Sequence, residues 1–166
     1  MLFRSRVSSK VLAIRGRIFP STLSNVHLVA KLTNGRIVHG ETRITASRKP
    51  IEKLSLSPRR VPPFPAVIEA IHEADLILLG PGSLYTSILP NLLIQEIAAA
   101  IAKSSAPRVY IANLMTQPGE TDGFGVAAHL DALREHGLPP EALDYVVLND
   151  APIPEKIRAR YDALGA

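Results

Sequence analysis

The chain predicts an α/β fold: a parallel sheet with helices on its faces, plus an antiparallel β-hairpin subdomain. Three observations carry this. Short apolar runs recur between helical stretches over residues 66–166, the pattern of strands joined by helical crossovers. Residues 26–44, VHLVAKLTNGRIVHGETRI, alternate apolar and polar side chains on both sides of Asn34-Gly35. Between the two regions lies SPRRVPPFP, a connector too rich in proline to be helical before Pro65.

Taken in order, the hairpin comes first. Asn-Gly can supply both positive-φ positions of a type I′ turn, so strands are expected on either side, the second running to Ile44. A third strand is expected near Ile51–Leu56, before Pro58. Helix 66–72 then precedes strand 75–79, and helix 92–103 precedes strand 108–112. Helix 126–136, closed by Gly137, precedes strand 145–148, and a last helix covers about 155–164. Residues 1–60 thus form a basic region with the hairpin, and residues 61–166 an α/β ligand-binding portion, within one structural domain.

Composition narrows the function. A chain of 166 residues can bury a sizeable core, and 46% hydrophobic residues with a mean hydropathy of +0.14 fit a globular domain. With no cysteine, disulfides, zinc-thiolate sites and thiol nucleophiles are excluded. A reducing cytoplasm is compatible with that, and it is the compartment expected. No apolar run approaches the roughly 20 residues that span a bilayer, so membrane insertion is not expected. Aromatics make up 5% of the chain, with no tryptophan, which leaves few stacking platforms for nucleic acid.

Charge is divided. Residues 1–60 hold 13 Lys/Arg against Glu41 and Glu52, a balance of +11, while residues 61–166 hold 6 against 13, a balance of −7. Either the N-terminal part attracts anions, or it is a solvated face that docks on the acidic half. The opening segment MLFRSRVSSKVLAIRGR is basic and free of acids, open to reading as a transit presequence, a truncated start or a simple leading strand.

The most informative stretch is DLILLGPGSLYTSILPN, residues 75–91. An apolar strand feeding Gly80, Pro81, Gly82 and Ser83 presents backbone N–H groups to an anion, typically a phosphate. The loop is neither a G-x-G-x-x-G fingerprint nor a P-loop. Ser83, Thr86 and Ser87 add hydroxyls, although Ser83 or Ser87 would also serve as a helix cap. The helix either opens at Ser83 and is interrupted by Pro90, or begins at Pro90. In a parallel sheet every strand ends at one edge, where open α/β sheets bind ligands. The segments that reach this edge are GPGSLYTS, NLMTQPGETDGFG and NDAP. Asn113, Thr116 and Gln117 can hydrogen-bond a base, sugar or amide. Glu120 and Asp122 can hold a hydrated Mg²⁺, accept from sugar hydroxyls, or cap the next helix. Phe124 either stacks on a ring or fills the core. His27, His39, His72, His129 and His136 are scattered without metal-ligand spacing and read as surface residues. No complete catalytic constellation emerges, so binding is better supported than turnover.

The segments GPGSLYTSILPNLL at 80–93 and VYIANLMTQPGETDGFG at 109–125 closely resemble two signatures of the CofD-like family. That family contains archaeal-type 2-phospho-L-lactate transferase and the bacterial gluconeogenesis factors. GRIFPSTLSNVHLVAKLTNGRIVHGE, ADLILLGPGSLYTS and the closing IRARY resemble the bacterial branch in order and spacing, from about residue 11 onward. The resemblance implies a Rossmann-like core that binds a phosphorylated or nucleotide ligand. For the bacterial branch it implies a binding regulator of cell shape and wall morphogenesis during gluconeogenic growth, with UDP-N-acetylglucosamine as ligand and no required cofactor, Mg²⁺ being optional. A homo-oligomer is expected. The alternative is a transferase moving a phosphate-bearing group onto an alcohol, and a third reading is a basic nucleic-acid-binding module.

By that likeness Gly80, Pro81, Gly82, Ser83 and Leu84 belong to a phosphate-binding loop, with Thr86 and Ser87 beside it. Asn113, Thr116, Gln117, Gly119, Glu120, Thr121 and Asp122 line the same cleft. Phe124 stands where relatives usually have tyrosine, and Arg160 matches a basic position suited to a diphosphate. The family's Gly-Gly-Thr-Gly and Asp-Asp-Gly-Gly-Ser segments have no match here. The chain therefore resembles the C-terminal portion of the family fold or a shortened relative, and a sheet edge is expected to stand open where strands would otherwise pair.

Overall fold

The computed structural model describes residues 16–163. Residues 1–15 of the basic opening segment and the expected end of the last helix at Leu164 lie outside them. Two three-stranded sheets form the frame. The first is antiparallel, in the order β2-β1-β3, with β1 at His27–Leu32, β2 at Ile37–His39 and β3 at Ile51–Ser57. The second is parallel, in the order β4-β5-β6, with β4 at Ile77–Leu79, β5 at Arg108–Ile111 and β6 at Tyr145–Val147. The α/β class is that expected from the sequence.

The hairpin turns differently from expectation. Asn34 is not in the left-handed region, and only Gly35 has positive φ, at 83°. The Gly35 N–H donates to the Leu32 carbonyl and the Leu32 N–H to Arg36, closing a three-residue loop with the glycine last. The second strand is also shorter. It stops at His39, because Gly40 at φ 90° turns the chain into helix α1, Glu41–Ser47. Ile44 is the one buried residue of α1, so the alternation that suggested a strand was a single inward helical position.

Helix α2, Pro65–His72, opens on the proline that closes the connector, a position where its missing N–H costs nothing. After β4 the chain makes one wide turn, Leu84–Ile88, in which Ile88 and Leu89 donate to carbonyls five residues back. Turns of this width are uncommon and occur often at functional sites. Helix α3, Leu89–Leu92, follows directly and bends by 81° into α4, Gln95–Lys103. The helix expected over 92–103 therefore begins only at Gln95, after the bend. Ile94 is extended and buried, and its carbonyl receives the first N–H groups of α4. No single helix among the described residues is long and apolar enough to cross a membrane. The bent pair that passes by composition is core, with Leu84, Leu89, Leu92, Ile97 and Ile101 buried. Helix α5, Val126–Glu135, and α6, Glu155–Asp162, complete the chain.

One hydrophobic cluster runs from Ala30, Leu32, Leu54 and Leu56 of the antiparallel sheet to Leu79 and Tyr110 of the parallel one. His136 ties β3 of the first sheet to the end of helix α5. Its Nδ1 donates to the Ala132 carbonyl at 2.7 Å and its Nε2 accepts the Leu54 N–H at 3.2 Å, fixing the neutral imidazole. Burial pushes its pKa below the ordinary value. His136 and His129 are buried, contrary to their reading as surface residues. Each bonds a carbonyl four residues back through Nδ1, Gly125 for His129 and Ala132 for His136, while His129 Nε2 is buried without a partner. At the amino ends of β5 and β6, Arg108 and Asp144 exchange side-chain and backbone bonds, pinning the edge opposite the loops of interest.

Candidate functional site

The loops after β4 and β5 meet at the carboxyl edge of the parallel sheet. Gly80, at φ 89°, ends β4 so close to β5 that an added Cβ would lie 2.8 Å from the Ile111 carbonyl oxygen. Only glycine fits there. Two residues on, the Gly82 N–H donates to Asn113 Oδ1 at 3.1 Å, while Asn113 Nδ2 returns a bond to the Gly82 carbonyl at 2.8 Å. The Asn113 amide therefore joins the loops, an intramolecular role that the sequence left unassigned. Ser83 precedes the wide turn, its carbonyl accepting from Ser87 and Ile88, and its hydroxyl makes no cap bond. Leu84 is fully buried.

A cleft of about 510 Å³ opens beside this junction, lined by Pro81, Ile111, Ala112, Asn113, Leu114, Met115, Thr116, Gln117, Pro118 and Tyr161. Its polar groups are amides, a hydroxyl and a phenol on an otherwise apolar wall, a composition typical of small-molecule sites. Four of the residues singled out from sequence, Pro81, Asn113, Thr116 and Gln117, are brought together here. Tyr161 was missed. It follows Arg160 in α6, and periodicity within so polar a helix gave no reason to prefer one over the other. Arg160 itself is exposed and is not part of the cleft wall.

The remaining candidates hold the loop in place. Gly119, at φ 80°, presses on the end of α1, where an added Cβ would lie 2.4 Å from Arg48 Cα. Arg48 is itself left-handed, at φ 46°. Thr121 is buried and accepts the Gln117 N–H at 2.8 Å; Asp122 accepts the Gly119 N–H at 2.7 Å. Glu120 is 3% exposed, and its Oε1 accepts from Gln117 at 3.1 Å, Thr45 at 3.2 Å and Thr86 at 3.3 Å. Its Oε2 has no partner. Desolvation raises its pKa above the ordinary 4.5, opposed by the Thr45 and Thr86 bonds. Glu120 thus clamps α1, the wide turn and the 113–121 loop together from inside. It does not face solvent beside Asp122, and no group of three His, Asp or Glu side chains suited to a metal occurs among the described residues. Phe124 packs edge-on against Tyr85 and His129, with ring centroids at 6.3 and 5.5 Å, in the core. Ser87 is exposed and lines two depressions with Ser21 and Asn91, one that includes Thr86 and one that includes Gly80, Pro81 and Gly82.

A family model described as 2-phospho-L-lactate transferase CofD matches residues 5–166. The chain belongs to the CofD family. Among its relatives are the gluconeogenesis factor of Bacillus subtilis, 44% identical over 93% of this chain and 48% of its own length, and that of Listeria monocytogenes, 45% identical over 91% and 47%. The crystal structure of a UPF0052-family protein from Bacillus halodurans superposes with a TM-score of 0.85 at 40% identity, over 95% of this chain and 51% of that one. This CofD-family chain therefore spans about half the length of these three relatives.

Proposed function

We propose that this CofD-family chain is a binding regulator whose carboxyl-edge cleft holds a nucleotide sugar, UDP-N-acetylglucosamine, in the control of cell shape and wall morphogenesis during gluconeogenic growth. One observation carries the reading: the reciprocal Gly82–Asn113 bonds fuse two loops into a single cleft at the edge where α/β sheets take phosphate-bearing ligands. The wall offers hydrogen-bonding amides and hydroxyls beside apolar surface, which suits recognition of a sugar and a base. The relatives' name, gluconeogenesis factor, supports the physiological part of the proposal. Isothermal titration with UDP-N-acetylglucosamine tests it. Saturable binding is expected, and Thr116→Ala should weaken it by about 1 kcal/mol, roughly five-fold, for a lost neutral hydrogen bond. No heat of binding, or an unchanged affinity in the variant, contradicts the assignment.

A second reading follows from the family description: transfer of a phosphate-bearing group onto an alcohol. Charge stabilisation by the loop amides would then do most of the chemistry. Incubating the chain with candidate donor and acceptor pairs separates the two, because the regulator binds its ligand and forms no product.

A further inference from the structure

Lys31, Lys53, Arg59 and Arg60 converge on one groove of about 480 Å³, which shares no lining residue with the carboxyl-edge cleft. They come from three segments: β1, β3 and the proline-rich connector. The register places Lys31 opposite Lys53 on β3 and opposite Ile37 on β2, on the sheet face turned away from the core residues Ala30, Leu32 and Leu54. Like charges directly opposite on neighbouring strands repel, and only Lys31 is relieved, by Glu52 at 2.6 Å. Lys53, Arg59 and Arg60 are exposed and have no ion-pair partner among the described residues, so they do not dock on the acidic half of the same chain. The surface between the cations is apolar, with Leu93 half-buried and Ile37 63% exposed. A second depression of about 330 Å³ adjoins the groove through the same Arg59, Arg60 and Leu93. Among the described residues Glu96 is the one acidic side chain that lines either.

We infer that this groove is a docking surface for an acidic segment of a partner protein, its carboxylates taken by Lys53, Arg59 and Arg60 and its apolar side chains laid on Ile37 and Leu93. Charge complementarity selects an anionic occupant, because cations without partners around a groove nearly free of acids draw in negative charge. Each arginine can hold a carboxylate through two parallel bonds, which gives the contact direction as well as attraction. The apolar surface decides the kind of anion. A nucleic acid or a free nucleotide would leave it uncovered, and no aromatic side chain among the described residues lines either depression to stack on a base. A segment that mixes Asp or Glu with Leu, Ile or Val covers both the cations and the surface between them.

The test is fluorescence anisotropy of a short labelled peptide of repeating Glu-Glu-Leu, titrated with the whole chain. Saturable binding that weakens as salt is raised is expected. The double variant Arg59→Glu/Arg60→Glu should bind at least about ten-fold more weakly. Arg43→Glu/Lys156→Glu, which changes the net charge equally at positions outside the groove, should bind like the parent. All four positions are exposed, so both variants should melt with the parent. Equal weakening by the two variants overturns the inference, because net charge alone then accounts for the binding. So does a peptide of repeating Glu-Glu-Ser that binds as tightly, since the apolar surface then contributes nothing. A single-stranded oligonucleotide that displaces the peptide at lower concentration, and that Arg59→Glu/Arg60→Glu no longer binds, assigns the groove to nucleic acid instead. Absence of saturable binding by the Glu-Glu-Leu peptide also overturns it.

Discussion

Gly119 shows how a single position couples two parts of this fold. Its missing side chain lets the 113–121 loop lie on the backbone of Arg48 and Lys49, with 2.4 Å between a hypothetical Cβ and Arg48 Cα. Gly119→Ala meets both that clash and a positive φ, and should cost about 2–4 kcal/mol in urea unfolding. A loss below half a kcal/mol would show that the loop can lift off α1 freely. His136 makes a different prediction, in pH. Burial lowers its folded-state pKa below the ordinary 6.5 while the unfolded chain keeps that value. Above about 6.5 both states are neutral and the bridge to Leu54 is intact. As pH falls below it, the unfolded state takes up a proton that the folded state resists, so stability declines toward the folded-state value. Unfolding free energies between pH 7.5 and 5.5 should fall more steeply in the parent than in His136→Gln. Equal slopes would assign the decline to other groups. Neither residue's role was readable beforehand. A lone histidine in a polar helix end looks like surface, and only tertiary structure supplies the Leu54 N–H.

Elements were more legible than residues, and unevenly so. The apolar runs at 77–79, 108–111 and 145–147 are short, bounded by turn residues and separated by helices, which leaves little choice but parallel strands. The loops after β4 and β5 stood out because they are richer in glycine, hydroxyls and amides than a connector needs. Helix α1 was hidden by chance alternation through Ile44, and the α3–α4 bend by an unbroken apolar run that gives no sign of the extended Ile94. The cleft was half visible. Pro81, Asn113, Thr116 and Gln117 carry polar or turn chemistry, whereas Tyr161 comes from an element whose docking on the edge no local pattern reveals. Glu120 shows the opposite error: a carboxylate in a Gly-rich loop reads as a ligand group, yet here it is buried as a clamp.

At the scale of the whole molecule, a continuous core unites the two sheets, the carboxyl edge of one carries the cleft, and one face of the same sheet stands open. That open face was invisible in the sequence, because a strand buried on both sides and one buried on a single side can both be apolar throughout. The central claim, that the joined loops at the carboxyl edge hold the ligand, is tested most directly by amide hydrogen exchange of the chain with and without saturating UDP-N-acetylglucosamine. Slowed exchange confined to residues 80–88 and 111–118 is the predicted result. Protection elsewhere, or none at any amide under conditions where binding is measured, would contradict it.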